Sequence, residues 1–496
     1  MPTSPHALPL DRVTLTEGFW HDRQKVNREK TLPAVYHQMK TTGRLDAWRR
    51  DVPDEQLHRH IFWDSDTGKW IEAVGHALAA GRDAELERQV DEVVDWIVKA
   101  QEPDGYLNSY FTNVEPDARW TNLRDRHELY CAGHLIEGAV AYFKPTGKRA
   151  LLDAVSRYAD HIAATFGTGE GQRRGYCGHP ELELALVKLA EATGEQRYLD
   201  LARYFVDERG REPHYFDIEA KARGEDPRQF WAKTYHYCQA HVPVREQKTA
   251  TGHSVRAAYL YTAMADLARL TGDAALAESC RSIWEDLTNH QMYITGGVGP
   301  AHTNEGFTFA YDLPNETAYG ETCAAIALVF WAQRMFELFG HGAYVDVLER
   351  ALYNGVLAGV SAEGSQFFYA NPLASYPYVS PYAHWSGIHT DKHYRRSDWF
   401  GCACCPPNLA RVVASIGHYL YAASDDAVFV NLYASSSASL DLGGVPVTLE
   451  QRTAYPWDGG VRIEVKADRP TTFTLALRIP AWCRDFQLAL NGATVD

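Results

Sequence analysis

The chain has 496 residues, 45% hydrophobic and 23% charged, which is ordinary for a globular protein with a large core. Its formal net charge of −15 argues against nucleic acid or an anionic membrane surface as the main partner. We find neither an apolar run of the roughly 18 residues that a membrane span needs nor a signal peptide at the N-terminus. The nine cysteines, an odd number, do not suggest a disulfide framework, so a reducing, cytoplasmic location is expected.

Residues 17–424 are predicted to be helical, with apolar-periodic helices that alternate with glycine-containing turns. A unit of helix, turn and helix occurs at least five times, with turns at 80–83, 146–148, 193–195, 271–273 and 340–342. Irregular repeats of this length indicate stacked helical hairpins, which form either an open solenoid or a closed α/α toroid. The long connections are rich in Trp, Tyr, His and Glu, and such loops at one end of a barrel would line a cleft. The closed toroid is therefore favoured.

Beyond residue 424 the sequence pattern changes to an alternation of apolar and polar residues. This alternation predicts an antiparallel β-sandwich over 425–496, with strands near 428–433, 445–449, 461–465 and 472–479. Within the N-terminal segment 1–16, residues 13–15 are expected to add a strand to the same domain. The chain ends shortly after the hairpin signal Asn491-Gly492, so the sandwich is expected to be incomplete at its C-terminus.

Four histidines lie in loops of the helical region, at His127, His179, His241 and His253. A single histidine is more often a hydrogen-bonded structural residue than a site residue. The four share a position at the ends of helical hairpins, and this favours a common role. The surrounding tyrosines and tryptophans are consistent with recognition of sugar hydroxyl groups.

Glu305 follows the glycine-rich segment 296–299 and lies close in sequence to Phe307 and Phe309. Burial against aromatic rings would raise the pKa of this carboxyl, so that it could serve as a general acid. The alternative is an ordinary loop carboxylate, which is the more frequent case for a glutamate in such a loop.

A cysteine cluster, Cys402, Cys404 and Cys405, is followed directly by two prolines, which keep the thiol loop stiff and non-helical. Glu321 and Cys323 stand at the start of another apolar helix. A carboxylate together with thiolates is a ligand set for zinc. The alternatives are a closed structural zinc site and cysteines that only fill the core.

These motifs resemble the β-L-arabinofuranosidases of glycoside hydrolase family 127. The resemblance runs from about residue 10 to the end of the chain and rests on residues 127–134, 311–315, 321–323 and 402–408. It implies an (α/α)6 barrel followed by β-sandwich domains, and a glycosidase whose nucleophile is a zinc-bound cysteine. Members of this family usually continue beyond this point with a further β domain, so the resemblance leaves open whether the protein forms a homodimer.

The resemblance also implies roles for individual residues. Cys404 matches the nucleophile and Glu305 the acid/base, while four residues match the zinc ligands: Glu321, Cys323, Cys404 and Cys405. The positions that resemble sugar contacts are His127, His179, His253 and Tyr369. Zinc would hold the nucleophile as a thiolate, and a two-step reaction through a thioglycosyl enzyme would retain the anomeric configuration.

The predicted function is a retaining, zinc-dependent exo-glycosidase that releases L-arabinose from non-reducing terminal β-L-arabinofuranosides. Its substrate is expected to be a small oligosaccharide or a glycoconjugate, with no nucleic acid or membrane partner. One alternative is a related toroid enzyme, either a glycosidase of other specificity or an epimerase or lyase that works through the loop histidines. The other is a carbohydrate-binding scaffold with a structural zinc ion.

Overall fold

The structure is a computed structural model and describes residues 4–374 and 395–495. Helices dominate residues 19–420 of this part of the chain. The α-helices are α1 (Phe19–Val26), α2 (Leu32–Thr41), α3 (Trp63–Ala80), α4 (Ala84–Ala100), α5 (Ser109–Asn113), α6 (Glu128–Thr146), α7 (Ala150–Thr165), α8 (Leu182–Thr193), α9 (Gln196–Glu208), α10 (Tyr215–Ala222), α11 (Ser254–Thr271), α12 (Ala274–Asp286), α13 (Thr322–Phe339), α14 (Gly342–Arg350), α15 (Cys405–Ala414) and α16 (Gly417–Leu420).

The five predicted helical hairpins are present as α3–α4, α6–α7, α8–α9, α11–α12 and α13–α14. In four of them the first helix ends at a glycine in the left-handed conformation: Gly147, Gly194, Gly272 and Gly340. Glycine adopts this conformation at little cost because it has no Cβ atom, so it ends the helix and lets the chain turn back.

Six helices contact one another in a cyclic order, which runs α3, α6, α8, α11, α13, α15 and back to α3. These helices are buried on nearly all sides; in α11, for example, every residue from Ser254 to Ala268 is buried. The second helix of each hairpin is amphipathic and buries one face only, as Val90, Val93 and Ile97 do in α4. The buried helices therefore form an inner layer and the amphipathic helices cover it.

The remaining elements are strands. They are β1 (His6–Ala7), β2 (Val13–Leu15), β3 (Tyr421–Ala423), β4 (Ala427–Val430), β5 (Ser436–Leu442), β6 (Val445–Thr453), β7 (Val461–Ala467), β8 (Thr474–Leu477), β9 (Leu488–Leu490) and β10 (Ala493–Val495). Two four-stranded sheets have the orders β1-β3-β4-β8 and β2-β5-β6-β7, and β9 pairs with β10 as a hairpin. The N-terminal β2 pairs with β5, with Val13 opposite Ala438.

The expectation of purely antiparallel pairing is wrong at one place, because β4 and β8 are parallel, with Val428 opposite Leu475. Between these strands the chain passes through β5, β6 and β7 of the other sheet. Such a long crossover allows a strand to return in the same direction, which a tight hairpin does not.

Within the described residues, α13 is the one helix long and apolar enough to cross a membrane by length and composition alone. The expectation that no such stretch exists is therefore wrong for α13. However, 78% of this helix is buried inside the protein, where it contacts α11, α14 and α15. An apolar helix surrounded by other helices is also what a protein core requires.

Candidate active site

A cavity of about 420 Å³ opens where the N-terminal ends of α3, α6, α11 and α13 meet the cysteine loop. Eight of the nine predicted site residues line it: His127, His179, His253, Glu305, Glu321, Cys323, Tyr369 and Cys404. The ninth, Cys405, lies directly behind the wall, with its sulfur 3.4 Å from that of Cys323. Segments separated by almost 300 residues in sequence thus supply one site.

Glu321, Cys323, Cys404 and Cys405 form a compact group in which the four candidate ligand atoms all lie within 4.8 Å of one another. The Cys404 sulfur is 3.6 Å from Glu321 Oε1 and 3.7 Å from the Cys405 sulfur. Cys402 is outside this group; it lines the cavity, and its sulfur is 3.8 Å from the Tyr369 hydroxyl.

The group fits a zinc ion. Tetrahedral ligands at about 2.0–2.3 Å from zinc are separated from one another by roughly 3.5–3.8 Å. The three shortest distances between ligand atoms of this group are 3.4, 3.6 and 3.7 Å, which are close to that range. Glu321 is only 2% exposed, and its Oε2 atom has no hydrogen-bond partner among the described residues. Burial, and then the neighbouring Cys404, raise the pKa of Glu321 well above its usual range. A dication would offset the cost of placing a carboxylate and three thiolates together.

Local backbone structure explains how Glu321 and Cys323 converge. Glu321 is the N-cap of α13 and has an extended conformation (φ −56°, ψ 134°), so its side chain does not follow the helical spiral. Thr322 does not cap this helix; its hydroxyl donates instead to the Phe368 carbonyl at 2.8 Å. That bond ties the start of α13 to the segment that carries Tyr369.

Glu305 is surrounded by hydrogen-bond donors. Its carboxylate accepts hydrogen bonds from His253 Nε2 at 3.2 Å, the Tyr319 hydroxyl at 3.2 Å and the Tyr237 hydroxyl at 3.4 Å. Burial raises the pKa of Glu305, but His253, Arg256 and Tyr319 together outweigh it and lower the pKa to about 2. The predicted upward shift of this pKa is therefore wrong.

The aromatic neighbours expected for Glu305 also differ from the prediction. Phe307 is buried, but Phe309 is 71% exposed and does not cover the carboxylate. Two of the three donors around Glu305, Tyr237 and His253, come from distant parts of the chain, and favourable hydrogen bonds to a carboxylate lower its pKa.

Two glycines hold Glu305 beside His253. The His253 and Gly306 backbones form an antiparallel bridge, and the Phe307 N–H donates to the Gly252 carbonyl at 2.9 Å. A Cβ atom on Gly306 would lie 1.8 Å from the Gly252 oxygen. No side chain fits at Gly306. The close approach of the Gly306 backbone to the Gly252 backbone therefore fixes the Glu305 carboxylate next to the His253 imidazole.

The three histidines that match sugar contacts lie side by side, with ring centroids 5.9 Å apart for His127 and His179 and 5.4 Å apart for His179 and His253. His127 Nδ1 is 3.0 Å from the Asp125 carbonyl, and His179 Nδ1 is 3.1 Å from the Pro180 carbonyl. A carbonyl only accepts, so Nδ1 carries the proton in both rings and Nε2 remains an acceptor. Burial lowers the pKa of His127 to about 3 and that of His179 well below its usual value.

His253 has the opposite tautomer. Its Nδ1 accepts the backbone N–H groups of Val255 and Arg256 at 3.2 and 3.4 Å and so caps α11. The proton is therefore on Nε2, which donates to Glu305. Burial lowers the pKa of His253, so a neutral imidazole faces an ionised carboxylate.

Sequence reasoning missed a buried ionic network beneath the cysteine loop. Arg411 lies on α15, the helix that Cys405 begins. Its guanidinium donates hydrogen bonds to Glu72 and Glu137 at 2.6 Å each and to the Tyr259 hydroxyl at 2.8 Å. Lys188 pairs with Glu137 on the other side. The sequence signal for this network was one glutamate on an otherwise apolar face of each of two helices, Glu72 in α3 and Glu137 in α6. A buried charge needs a partner, so these two residues indicated a buried cation nearby.

A second group of candidate metal ligands, His134, Glu137 and Glu181, lies within this network. All three side chains are buried, with His134 Nδ1 at 3.1 Å from Glu181 Oε1. Lys188 and Arg411 already supply positive charge to this carboxylate cluster. The group is therefore best described as part of a buried ion-pair network.

The family model of the β-L-arabinofuranosidase GH127 catalytic domain matches residues 12–418, and that of the GH127 middle domain matches residues 427–496. A non-reducing end β-L-arabinofuranosidase from Bifidobacterium longum subsp. longum is 39% identical over 521 residues, which cover 97% of this chain and 77% of the relative.

Solved structures agree with these matches. A GH127 β-L-arabinofuranosidase from Geobacillus stearothermophilus T6 is 50% identical and superposes with a TM-score of 0.93, over 98% of this chain and 77% of the other. A second GH127 β-arabinofuranosidase is 38% identical with a TM-score of 0.88, over 99% of this chain and 76% of the other. The resemblance inferred from the motifs is confirmed: the chain belongs to the β-L-arabinofuranosidases of glycoside hydrolase family 127 and is a glycoside hydrolase.

Proposed function

We propose that the protein is a retaining exo-glycosidase that releases L-arabinose from non-reducing terminal β-L-arabinofuranosides. The names of the relatives support this sugar and linkage. The observation that carries the chemistry is that the Cys404 thiol and the Glu305 carboxylate share one cavity. A sulfur nucleophile and a carboxylate acid/base are the two groups that a retaining reaction requires.

Glu321, Cys323, Cys404 and Cys405 would hold a zinc ion, which when bound keeps the thiols deprotonated and restricts the position of Cys404. The chain itself contributes the geometry of this group. Glu321 and Cys323 start α13, while Cys404 and Cys405 start α15, and the contact between these two helices brings the pairs together.

The reaction has two steps. In the first, the Cys404 sulfur bonds to the anomeric carbon while the bond to the leaving oxygen breaks, and Glu305 gives that oxygen its proton. In the second, Glu305 takes a proton from water, whose oxygen bonds to the anomeric carbon and displaces the sulfur. Two substitutions at one carbon give net retention.

Glu305 must change its protonation state between these steps. Its donors His253, Tyr237 and Tyr319 stabilise the carboxylate, which is the form that the second step needs. For the first step, we propose that a bound sugar excludes water from the cavity and so raises the pKa of Glu305. His127 and His179 would accept hydrogen bonds from sugar hydroxyls through Nε2, and Tyr369 would add a further contact.

The proposal extends to the architecture and location of the protein. The cyclic helix contacts support an (α/α)6 barrel over residues 17–424, and the two four-stranded sheets support a β-sandwich formed by 425–496 together with 1–16. All nine cysteines are unpaired, which supports a reducing, cytoplasmic compartment. The net charge of −15 supports a carbohydrate rather than a nucleic acid partner.

The decisive experiment is to follow the anomeric configuration of the first-formed sugar by NMR, before mutarotation, during hydrolysis of a β-L-arabinofuranoside. We expect the β anomer, and an electrophilic furanosyl analogue should label the peptide that contains Cys404. Cys402→Ser is the matched control, because this thiol lies on the same loop outside the ligand group and its loss should leave labelling intact. An inverted product would show that water, and not Cys404, attacks the sugar.

A further inference from the structure

Lys69 is a buried lysine in the first half of α3 that the catalytic steps above do not use. The residue is 0% exposed, and its ammonium donates one hydrogen bond, to the Tyr130 hydroxyl at 2.8 Å. Within residues 4–374 and 395–495, no carboxylate forms an ion pair with it. Moving an ammonium out of water is costly unless negative charge lies nearby, so Lys69 requires a compensating charge.

The nearest carboxylates along α3 do not supply that charge. Asp66 stands three residues before Lys69 and Glu72 three residues after it, so each lies about one helical turn away. Asp66 pairs with Arg44 at 2.9 Å, and Glu72 pairs with Arg411 at 2.6 Å. Because each carboxylate already has its own cation, the charge that balances Lys69 has another source.

Tyr130 connects Lys69 to the ligand group, which consists of Glu321, Cys323, Cys404 and Cys405. Tyr130 lines the active-site cavity together with Cys323 and Cys404. Burial raises the pKa of Cys323, but its hydrogen bonds with Cys404 and Cys405 outweigh burial, and the charge of Lys69 also lowers this pKa. Lys69 and the ligand group are therefore close enough to interact electrostatically.

The ligand group carries more negative charge than a zinc ion neutralises. Three thiolates and one carboxylate carry four negative charges, and the dication cancels two of them, which leaves a net charge of about −2. Glu321, Cys323 and Cys405 are buried, so water and salt screen this charge poorly. A buried cation beside the group would lower the free-energy cost of the excess charge.

We propose that Lys69 is the counter-cation of the zinc-loaded ligand group and that it strengthens the binding of the metal. The Tyr130 hydroxyl positions the ammonium, since it accepts the one hydrogen bond that Lys69 donates. Lys69 does not line the cavity, so it acts on the ligand group and not on the sugar. The inference rests on the part of the proposed function in which the ligand group holds zinc.

The test measures the zinc affinity of the zinc-loaded protein by competition with a chelator of known affinity at fixed pH. Lys69→Gln keeps a donor for the Tyr130 hydroxyl but has no charge, and Lys69→Met has neither. Both variants should bind zinc at least about tenfold more weakly than the wild-type protein, because a buried positive charge beside a negative group is lost. Lys69→Arg keeps the charge and should retain most of the affinity.

Lys188→Met is the matched control. Lys188 is a partly buried lysine of the same inner helical layer, but carboxylates of Glu137 and Glu72 balance its charge. Its removal should lower the Tm, because it leaves buried negative charge, and should leave the zinc affinity at the wild-type value. Measurement of both Tm and zinc affinity therefore separates damage to the fold from loss of charge at the ligand group.

The outcomes separate this inference from the proposed function. If the wild-type protein binds zinc and both neutral variants of Lys69 bind it equally tightly, the role of Lys69 is overturned and the proposed function stands. The role is also overturned if Lys188→Met weakens zinc binding as much as these variants do. If only the neutral variants of Lys69 bind zinc more weakly but the wild-type protein releases no L-arabinose, the role stands and the proposed function is overturned. A wild-type protein that binds no zinc overturns both.

Discussion

His253 links the start of a core helix to the carboxylate of Glu305. Its Nδ1 accepts two backbone N–H groups at the N-terminus of α11, and its Nε2 donates to Glu305 Oε2 at 3.2 Å. The cap fixes both the tautomer and the ring orientation, so the protonation of Glu305 depends on where α11 begins. An interaction that would ordinarily serve helix stability therefore also acts on the candidate acid/base.

His253→Asn should separate these two functions. Asparagine is a good N-cap, so the thermal stability should change little, but it has no group that replaces Nε2–H at Glu305. With one donor lost, the effect of burial is less opposed and the pKa of Glu305 rises above about 2. The descending limb of kcat/KM against pH, where the general acid loses its proton, should move to higher pH.

The matched control for this variant is His341→Asn, because His341 also caps a helix, α14, with its side chain and makes no contact with Glu305. Its pH profile should equal that of the wild-type protein. A limb that stays in place in His253→Asn would mean that the imidazole does not control the protonation of Glu305.

Glu305→Gln should affect substrates according to their leaving groups. For alkyl or sugar glycosides we expect a loss of about 10²–10⁴-fold in kcat/KM, because these oxygens need a proton to depart. For activated aryl glycosides the loss in the first step should be much smaller. Steady-state kinetics on both classes measure the difference, and an equal loss on both would exclude the leaving-group role.

The stability of the protein should depend on Glu305 at acid pH. Its pKa of about 2 in the folded protein lies below the ordinary value of 4.5, so the folded state binds this proton less readily than the unfolded chain. The resulting stabilisation is fully present above the unfolded pKa and is lost as the pH falls from 4.5 to about 2. The wild-type protein should therefore lose its stability advantage over Glu305→Gln in this window, as measured by denaturant unfolding. A difference that does not vary with pH would contradict the assigned shift.

Cys323→Ser should remove the metal. The ligand group predicts about one zinc ion per chain of wild-type protein and a large loss in the variant, together with a lower Tm. Elemental analysis by mass spectrometry measures the zinc content. Cys280→Ser is the control for loss of a buried thiol, since Cys280 lies in α12 outside the ligand group. Equal zinc content in all three proteins would contradict the site.

Arg411→Met should destabilise the protein strongly. The guanidinium is 1% exposed and neutralises Glu72 and Glu137, so its removal leaves buried negative charge and should cost about 3–5 kcal/mol. Arg88→Met removes an arginine from an exposed pair with Glu85 and should change the stability little, because water and salt screen such a pair. Urea unfolding of both variants gives the comparison, and similar small losses would show that the buried network contributes little.

The local parts of this protein are determined by sequence. Periodicity and glycines predict the five helical hairpins because both act within one or two turns of helix. The cysteine loop and the start of α13 indicate a metal site for a similar reason: each pair of ligands is adjacent in sequence, and only one contact between helices has to join them. The Asn491-Gly492 turn likewise gives the predicted hairpin, β9–β10.

Tertiary structure decided the rest. The parallel pairing of β4 with β8 depends on the path of the chain through another sheet, which alternation of residues does not encode. The pKa of Glu305 depends on groups from other segments of the chain: His253 and Arg256 at the start of α11, and Tyr319. Burial alone would raise that pKa, as the sequence predicts, but hydrogen bonds and charges act through space, and their sum reverses the direction.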